Sequence, residues 1–342
     1  MYLKLIKENI EEISLNRDKP FYVYISLSNI CNAKCVFCNV HDKPNKISQV
    51  DVPKLLGDLH SLGTRYVHFL GGGEPLVRKE IWDHFESITK MGMKFAITTN
   101  GFFLNEEKII RLSKLNLNHI LFSIDGHTSE IHDNIRQVPG LWKVTTRNIQ
   151  LLKQYMPHVK VVINHVVNKL NIDHFSEMIN LKKSIPYDFL NPILIKDCPE
   201  LEMTEKQITN FNEQYEEYIS LARELNVRFL YDNINFFSNF KENTPQKKKQ
   251  WENNNFKCYY PQFASHVDCP TASVYPCDCT IHRDPKFFKV GSLSEKSFKE
   301  IWNDSPMANL RKSLENKYVF CKKNCDRANV LFNNEIEGVL TQ

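Results

Sequence analysis

Three cysteines close together near the N-terminus carry the clearest chemical signal in the sequence. Cys31, Cys35 and Cys38 stand at C-x3-C-x2-C spacing directly after a short β-branched run. Three thiolates on one loop can ligate three irons of a [4Fe–4S] cluster and leave the fourth iron open to another ligand. Zinc prefers four ligands in closed pairs, so a zinc site or three buried cysteines is the weaker alternative. The spacing therefore predicts an iron–sulfur centre with one vacant coordination position.

Four further cysteines stand in the last third of the chain, at Cys258, Cys277, Cys321 and Cys325. Subtraction of their numbers gives separations of 19, 44 and 4 residues. Four thiolates suit a structural zinc ion as well as a fully ligated iron–sulfur cluster, so spacing alone leaves both open. Cys269 or Cys279 could also take the place of Cys277. The chain has ten cysteines, and bound metal explains them better than a disulfide framework would in a long chain of a reducing compartment.

The elements that must position these thiolates alternate between strands and helices. β-Branched and aromatic runs predict six strands, at 21–26, 66–70, 95–98, 120–124, 159–167 and 189–195. Apolar residues at helical spacing predict helices in the gaps, one of them after an Asn105 cap. This alternation is the signature of βαβ units, and hence of a parallel sheet or barrel whose ligand site lies at the carboxyl ends of the strands. A capping box of Thr204 and Gln207 predicts a further helix to about Leu225.

The motifs at these strand ends resemble those of a known family. The cysteine triplet after strand one, with Phe37 before its last member, resembles the radical S-adenosylmethionine (radical SAM) superfamily. Further matches stand in the family's order: Gly71 to Pro75 after strand two, Thr99 to Gly101 after strand three, Ser123 to Gly126 after strand four, and Arg136 beyond them. The resemblance covers roughly residues 20–200 and implies an α/β fold, a partial (β/α)6 TIM-like barrel with the cluster and cofactor at its mouth.

The resemblance also implies which residues bind S-adenosylmethionine (SAM). The candidates are Gly72, Gly73, Glu74, Asn100, Ser123, Asp125, Arg136 and Asn164. The GGE motif would receive the amino group of the methionine, and the turn that ends strand four would touch the ribose and the methionine. Arg136 matches a basic residue that meets the carboxylate. Asn164 is a candidate from its place at the end of strand five, where its amide could contact the adenine or ribose.

The C-terminal cysteines resemble a second domain type. Their order and approximate spacing resemble the twitch form of the SPASM auxiliary domain, most closely that of 2-deoxy-scyllo-inosamine dehydrogenases. By this resemblance Cys258, Cys277, Cys321 and Cys325 would ligate one auxiliary [4Fe–4S] cluster. A full SPASM domain holds two clusters and needs about seven cysteines with further C-x2-C pairs, which the remaining chain does not supply. We therefore expect one auxiliary cluster beside the one that binds SAM.

The resemblance implies an enzyme that cleaves SAM reductively and abstracts a hydrogen atom from a substrate carbon. The leading hypothesis is dehydrogenation or epimerisation of a sugar or aminocyclitol, with Cys198 after strand six as the candidate catalytic thiol. The alternative within enzymes is a ribosomal-peptide maturase, which acts as an epimerase or crosslinking enzyme. The absence of room for a peptide-recognition domain before strand one favours the small substrate. An alternative of another class is a non-enzymatic iron–sulfur electron carrier or redox sensor.

Length and composition limit the remaining possibilities. The chain has 342 residues, of which 42% are hydrophobic and 25% charged, as in globular proteins. The net charge of +4 is too small to indicate a nucleic-acid partner, and the absence of a long apolar run argues against a membrane segment. We expect a cytoplasmic protein that receives electrons from a reductase such as flavodoxin or ferredoxin. The expected parts are an N-terminal extension (1–20), a core barrel (21–232), a connection (233–257), an auxiliary cluster domain (258–330) and a tail (331–342).

Overall fold

The computed structural model describes residues 19–42, 47–195, 198–230, 258–278, 280–282, 285–315, 333 and 336–338. The expected connection at 233–257 and Cys279, Cys321 and Cys325 lie outside the described residues. Within these ranges the strands form one ten-stranded sheet. The strands are β1 (Tyr22–Ser26), β2 (Tyr66–Phe69), β3 (Lys94–Thr99), β4 (Leu117–Ser123), β5 (Lys160–Val167), β6 (Phe189–Leu194), β7 (Arg228–Phe229), β8 (Ala264–Asp268), β9 (Ser273–Tyr275) and β10 (Gly291–Ser292).

The helices lie between the strands in chain order. They are α1 (Val52–Ser61), α2 (Ile81–Lys90), α3 (Glu106–Leu112), α4 (Ser129–Arg136), α5 (Leu141–Tyr155), α6 (Phe175–Asn180), α7 (Glu205–Glu213), α8 (Tyr215–Glu224), α9 (Tyr260–Phe263), α10 (Pro285–Phe288), α11 (Phe298–Asn303) and α12 (Ser305–Glu315). All six predicted strands are present, and β1 to β7 pair in parallel and in sequence. The predicted α/β fold with a parallel sheet is confirmed.

Packing between the sheet and the helices explains why these segments take these forms. The strands are almost entirely buried and mostly apolar, as expected for parallel strands covered by helices, although buried polar residues such as His68 and His119 interrupt the apolar runs. Phe85 of α2, for example, stacks on Phe95 of β3 at 4.4 Å between ring centroids. Helix α3 begins where the sequence predicts, because the Asn105 side chain accepts a hydrogen bond from the Lys108 backbone N–H. The helices thus pack on the sheet, and the carboxyl ends of its strands stay accessible for a binding site.

The helix expected from Thr204 to about Leu225 is interrupted, which corrects that prediction. Its capping box of Thr204 and Gln207 is present. The backbone of Gln214, with φ −88° and ψ 3°, leaves the helical region and separates α7 from α8. Phe211 before the break and Tyr218 after it both contact the ring of Phe175, at 5.2 and 5.3 Å between centroids. Both halves therefore pack on the same aromatic residue of α6, and Phe211 and Tyr218 also contact each other at 5.1 Å between centroids.

The C-terminal segment extends the same sheet. Strand β8 pairs in parallel with β1, in a register that places Asp268 opposite Ser26, and β9 and β10 continue antiparallel beyond it. Strand β1 therefore has a partner on each side, β2 and β8. Because parallel strands end at the same edge, the carboxyl end of β8 lies next to the carboxyl end of β1, where the cysteine loop begins.

No helix among the residues that the structure describes combines the length and the hydrophobicity that a bilayer span requires.

Buried histidines make the fold sensitive to acid. His68, His119, His132 and His165 are each at most 6% exposed. Burial lowers the pKa of all four, to about 3 for His119 and His132. A histidine whose pKa falls on folding binds its proton in the unfolded chain first, so stability is present above pH 6.5 and is lost as the pH falls towards 3.

We expect the free energy of unfolding to fall steeply between pH 6 and pH 5. His119 and His132, whose pKa falls to about 3, should each contribute a slope of about 1 kcal/mol per pH unit in this window. Anaerobic denaturant titrations at several pH values measure the slope. The variant His119→Gln should reduce it by one such increment, while the exposed His60→Gln should leave it unchanged. An unaltered slope in His119→Gln would show that His119 is not held neutral by the fold.

Candidate active site

The three N-terminal cysteines line one cavity of about 580 Å³ at the carboxyl ends of the strands. They follow β1 in a loop that is tightened by a hydrogen bond from Cys38 N to Cys35 O at 3.0 Å. Cys35 is buried, Cys31 is half-buried and Cys38 is exposed. Six of the eight predicted cofactor-binding residues line the same cavity: Gly72, Gly73, Glu74, Asn100, Ser123 and Arg136. The structure therefore brings most of the predicted site together.

The glycine turn after β2 packs directly on the start of the cysteine loop. The backbone N–H of Glu74 donates to the carbonyl of Ile30 at 2.9 Å. A Cβ at Gly73 would lie 2.0 Å from that same carbonyl oxygen, and a Cβ at Gly72 would lie 2.5 Å from the oxygen of Ser28. Gly72 also has φ +70°, which side chains other than glycine rarely adopt. The two glycines are therefore required for this contact.

Glu74 joins the glycine turn to the turn after β3. Its buried carboxylate accepts hydrogen bonds from the backbone of Leu76 at 3.0 Å, from the Thr99 hydroxyl at 2.7 Å and from the backbone of Asn100 at 2.8 Å. Burial raises the pKa of Glu74, and these donors oppose that rise. The amide of Asn100 in turn donates to Asn32 Oδ1 at 2.8 Å, inside the cysteine loop. This network fixes three loops relative to one another.

Arg136 at the end of α4 lies between Asp125 and the cysteine loop. Its Nε donates to Asp125 Oδ2 at 2.5 Å, and its Nη1 donates to Cys35 Sγ at 3.6 Å. Burial alone would lower the pKa of Arg136, but the carboxylate of Asp125 and the thiol of Cys35 raise it, so the guanidinium is charged. Asp125 is fully buried and its other oxygen accepts from Val166 N at 2.7 Å. Asp125 therefore anchors Arg136 and does not line the cavity.

Two other predicted site residues also lie outside the cavity lining. The Asn164 side chain accepts a hydrogen bond from the Asn191 amide at 2.8 Å, between β5 and β6. The thiol of Cys198 donates to Glu200 Oε1 at 3.2 Å. Burial and this carboxylate raise the pKa of Cys198. In this structure neither residue is among those that surround the cavity.

The wall that the C-terminal segment contributes to the cavity, called the C-terminal wall below, was missed by sequence reasoning. It is formed by β8, β9 and the turn between them, which contribute His266, Asp268, Thr271 and Tyr275. The hydroxyl of Ser26 donates its hydrogen to Leu70 O at 3.1 Å. Its oxygen is therefore the acceptor in the contact with His266, whose Nε2 donates at 2.9 Å. The available signal was the run ASHVD, whose last residue ends a strand. Its pairing with β1, from the other end of the chain, could not be read from local pattern.

Two of the four predicted auxiliary ligands fall within the described residues. Cys277 is buried in an aromatic cluster with Tyr259 and Tyr260, and Cys258 packs against the same cluster. Cys269 instead belongs to the main apolar core between sheet and helices, where burial raises its pKa to about 12. This placement favours Cys277 over Cys269 as the partner of Cys258, which remains a prediction.

The donor set of the cavity fits an iron–sulfur cluster. Three thiols face one space, and two of their sulfurs accept N–H hydrogen bonds, Cys31 from Ala33 N at 3.4 Å and Cys35 from Arg136. Such bonds stabilise thiolate ligands. Over the described ranges, no three His, Cys, Asp or Glu side chains converge as ligands of a single metal ion would. Cys31, Cys35 and Cys38 would hold the cluster, beside the glycine turn that would hold SAM.

The α/β sheet carries three thiols at its carboxyl edge and a cavity beside them. This arrangement is typical of a protein that binds an iron–sulfur cluster together with a cofactor. Residues 25–181 match the family model of the radical SAM superfamily, and residues 258–326 match that of the iron–sulfur cluster-binding SPASM domain. The chain thus carries a radical SAM domain followed by a SPASM domain. These domains imply a [4Fe–4S] cluster that binds SAM, together with auxiliary iron–sulfur ligation in the C-terminal domain.

Curated relatives match about half of this chain. An AdoMet-dependent heme synthase of Oleidesulfovibrio alaskensis is 25% identical over 159 residues, which are 45% of this chain and 40% of the relative. The mycofactocin maturase MftC of Mycobacterium tuberculosis is 29% identical, over 50% of this chain and 44% of the relative. A GTP 3′,8-cyclase of Clostridium perfringens is 31% identical, over 49% and 53% respectively. The matched regions span about half the length of these relatives.

Solved structures share the fold at low sequence identity. SuiB of Streptococcus suis, bound to S-adenosylmethionine, superposes with a TM-score of 0.63 and 18% identity, covering 90% of this chain and 72% of SuiB. The protein anSMEcpe, with bound AdoMet and a peptide, gives 0.61 and 21% identity, covering 90% and 87%. These matches support the fold. They do not single out 2-deoxy-scyllo-inosamine dehydrogenase, so that finer resemblance is not established.

Proposed function

We propose that this protein is a radical SAM enzyme that cleaves SAM reductively and abstracts a hydrogen atom from a carbon of a bound substrate. One observation carries the proposal: the three thiols, the glycine turn, Ser123 and Arg136 surround a single cavity of about 580 Å³. That volume is typical of sites for small molecules. A reduced cluster held by Cys31, Cys35 and Cys38 would supply an electron to the sulfonium of SAM, and the cleaved cofactor would take the hydrogen atom.

The residues of the chain position and enclose the reactants. Glu74 and Asn100 hold the glycine turn and the cysteine loop in register through buried hydrogen bonds. The C-terminal wall borders the cavity next to the start of the cysteine loop. It offers Asp268, whose Oδ2 also accepts from the Thr271 hydroxyl, as an acceptor for a hydroxyl or amino group of the substrate. Such enclosure restricts water and aligns a single C–H bond. An electron carrier or redox sensor needs no such cavity, which argues against that alternative.

Dehydrogenation of a sugar or aminocyclitol is the first candidate reaction. A ring with several hydroxyl or amino groups complements the polar residues His266, Asp268 and Thr271 of the C-terminal wall. Epimerisation would require a thiol that returns hydrogen inside the cavity. Cys198, the candidate for that role, is hydrogen-bonded to Glu200 and lies outside the lining. The arrangement therefore favours dehydrogenation over epimerisation by Cys198.

Maturation of a ribosomal peptide is the second candidate. A separate surface cavity of about 570 Å³, lined by Ser48, Gln49 and Ser294 among others, shares Pro270 and Thr271 with the main cavity. An extended peptide could cross this shared wall. One curated relative is named a mycofactocin maturase, and SuiB has been solved bound to its precursor peptide SuiA. A gene for a short precursor peptide beside the gene of this protein would favour this candidate, and a set of sugar-modifying genes the first.

The auxiliary domain would accept the electron that dehydrogenation releases. We propose that Cys258, Cys277, Cys321 and Cys325 ligate one auxiliary [4Fe–4S] cluster, and that a flavodoxin- or ferredoxin-class reductase supplies the electron for the first cluster. Placement of Cys258 and Cys277 in one aromatic cluster supports the first two of these ligands.

Formation of 5′-deoxyadenosine tests the proposed function. Anaerobically reconstituted protein, incubated with dithionite and SAM, should release 5′-deoxyadenosine and methionine, because the cavity holds SAM beside the reducible cluster. Liquid chromatography with mass spectrometry measures both products. Samples without dithionite should release neither. Absence of 5′-deoxyadenosine from fully reconstituted, reduced protein would overturn the enzyme proposal in favour of an electron carrier.

A further inference from the structure

One charged side chain contacts both a buried carboxylate and a thiol of the cysteine loop. Arg136 divides its guanidinium between Asp125 Oδ2, at 2.5 Å from Nε, and Cys35 Sγ, at 3.6 Å from Nη1. The guanidinium carbon, Cζ, also lies 5.3 Å from the ring centroid of Phe37, in the same loop. These contacts hold the cation against the loop that carries the cluster ligands, with the ring covering one face.

Burial makes the charges of this group effective. Asp125 is fully buried and Arg136 is 9% exposed, so water screens them little. The neighbouring His132 is neutral, because burial and the charge of Arg136 lower its pKa to about 3. It accepts the backbone N–H of Asp125 at 3.0 Å, and Asp125 also accepts from Val166. The position of the Asp125 carboxylate is therefore fixed by hydrogen bonds, and this carboxylate in turn fixes the position of the Arg136 guanidinium.

We propose that Arg136 and Asp125 set the reduction potential of the cluster held by Cys31, Cys35 and Cys38. Reduction adds one electron, supplied by a flavodoxin- or ferredoxin-class donor, and no bond forms or breaks. A nearby cation and an N–H···S bond both stabilise the extra negative charge, so they raise the potential. The carboxylate of Asp125 acts in the opposite direction. Arg136 is thus a positioning and tuning residue for the cluster, distinct from the carboxylate-binding role that its sequence position implies.

The two halves of the pair predict shifts of opposite sign. Arg136→Gln removes the cation and should make the cluster harder to reduce, by about tenfold in the ratio of reduced to oxidised cluster at a fixed potential, or 59 mV for one electron. Asp125→Asn removes the negative charge and keeps one oxygen as the acceptor for Val166 N, while its amide NH2 replaces the oxygen that accepts from Arg136 Nε. Arg136 then keeps its contacts in the cysteine loop, and the potential should shift upward. Arg136→Lys keeps the charge but cannot reach both partners, so its shift should be smaller than that of Arg136→Gln. Arg111→Gln is a matched control, because Arg111 pairs with exposed Glu86 on α2.

Redox titrations of holoprotein, followed by electron paramagnetic resonance, measure these shifts. The signal that changes on addition of SAM identifies the first cluster, so the auxiliary domain does not interfere. Iron content per chain is recorded for each variant. If Arg136→Gln fails to assemble the cluster, the upward shift in Asp125→Asn decides the question. Opposite shifts in the pair, with none in Arg111→Gln, support the proposal.

Equal potentials in wild type and Asp125→Asn, or shifts of the same sign in Asp125→Asn and Arg136→Gln, would overturn it. A SAM-responsive cluster with an unchanged potential would contradict only this inference and leave the proposed function intact. Loss of the SAM response in the wild-type protein would instead contradict the proposed function.

Discussion

Replacement of Cys31, Cys35 and Cys38 by alanine is expected to abolish cleavage of SAM and to halve the iron content of the protein. The cavity would lose all three sulfur donors that face it, so the first cluster has no ligands. Two [4Fe–4S] clusters carry about eight irons, and the triple variant should retain about four in the auxiliary domain. Anaerobic iron quantitation and assay of 5′-deoxyadenosine measure the two effects.

The matched control is Cys198→Ala, since Cys198 lies outside the cavity and outside both sets of ligands. It should keep about eight irons and normal SAM cleavage. A triple variant that retained SAM cleavage would contradict the site. An iron content near zero would instead contradict the assignment of a separate auxiliary cluster to the C-terminal cysteines.

Gly73→Ala is expected to disable the site although glycine carries no reactive group. A Cβ at this position would lie 2.0 Å from the Ile30 carbonyl oxygen, so backbone must move by about 1 Å. Because Ile30 precedes the first cysteine, the movement displaces the loop that holds the thiols. Displacements of this size cost about a hundredfold in rate, and the overpacking should cost about 3 kcal/mol of stability. Turnover of SAM and denaturant unfolding measure these losses.

Gly57→Ala is the matched control, because the same substitution at this position should raise stability and leave activity unchanged. Gly57 lies within α1, and a Cβ there would meet nothing within 4 Å. Alanine in a helix is favoured over glycine by about 0.5 to 1 kcal/mol, so this variant should be slightly more stable and fully active. Normal activity in Gly73→Ala would show that the glycine turn does not press on the cysteine loop in solution.

Local sequence pattern was sufficient for the elements and loops that follow one another in the chain. The β-branched runs located all six core strands, since a parallel strand buried on both faces is mostly apolar. The cysteine loop, the glycine turn and Arg136, which the motifs at strand ends had singled out, line one cavity because strand order brings those ends to one edge. Their spacing in sequence is therefore a guide to their proximity in space.

Long-range pairing and side-chain orientation were not accessible in the same way. Asp125 was expected to contact the cofactor, but its carboxylate turns inward to Arg136 and to the backbone of Val166. Nothing in the run SIDG distinguishes the two orientations. Asp268 reaches the cavity only because β8 pairs with β1, and the chain between them contains the whole barrel. Such a contact depends on tertiary packing that periodicity does not report.

The pairing of β1 with β8 has a consequence for how the protein is made. Subtraction of the paired positions Ser26 and Asp268 shows that 242 residues separate them. At about 5 to 20 residues per second, a ribosome needs roughly 10 to 50 s to synthesise this interval. During that time the nascent chain exposes one open edge of its first strand, and the adjoining thiols lack their covering wall. The cysteine loop is therefore open to ligands on this side until the segment that carries β8 has been synthesised and has paired with β1.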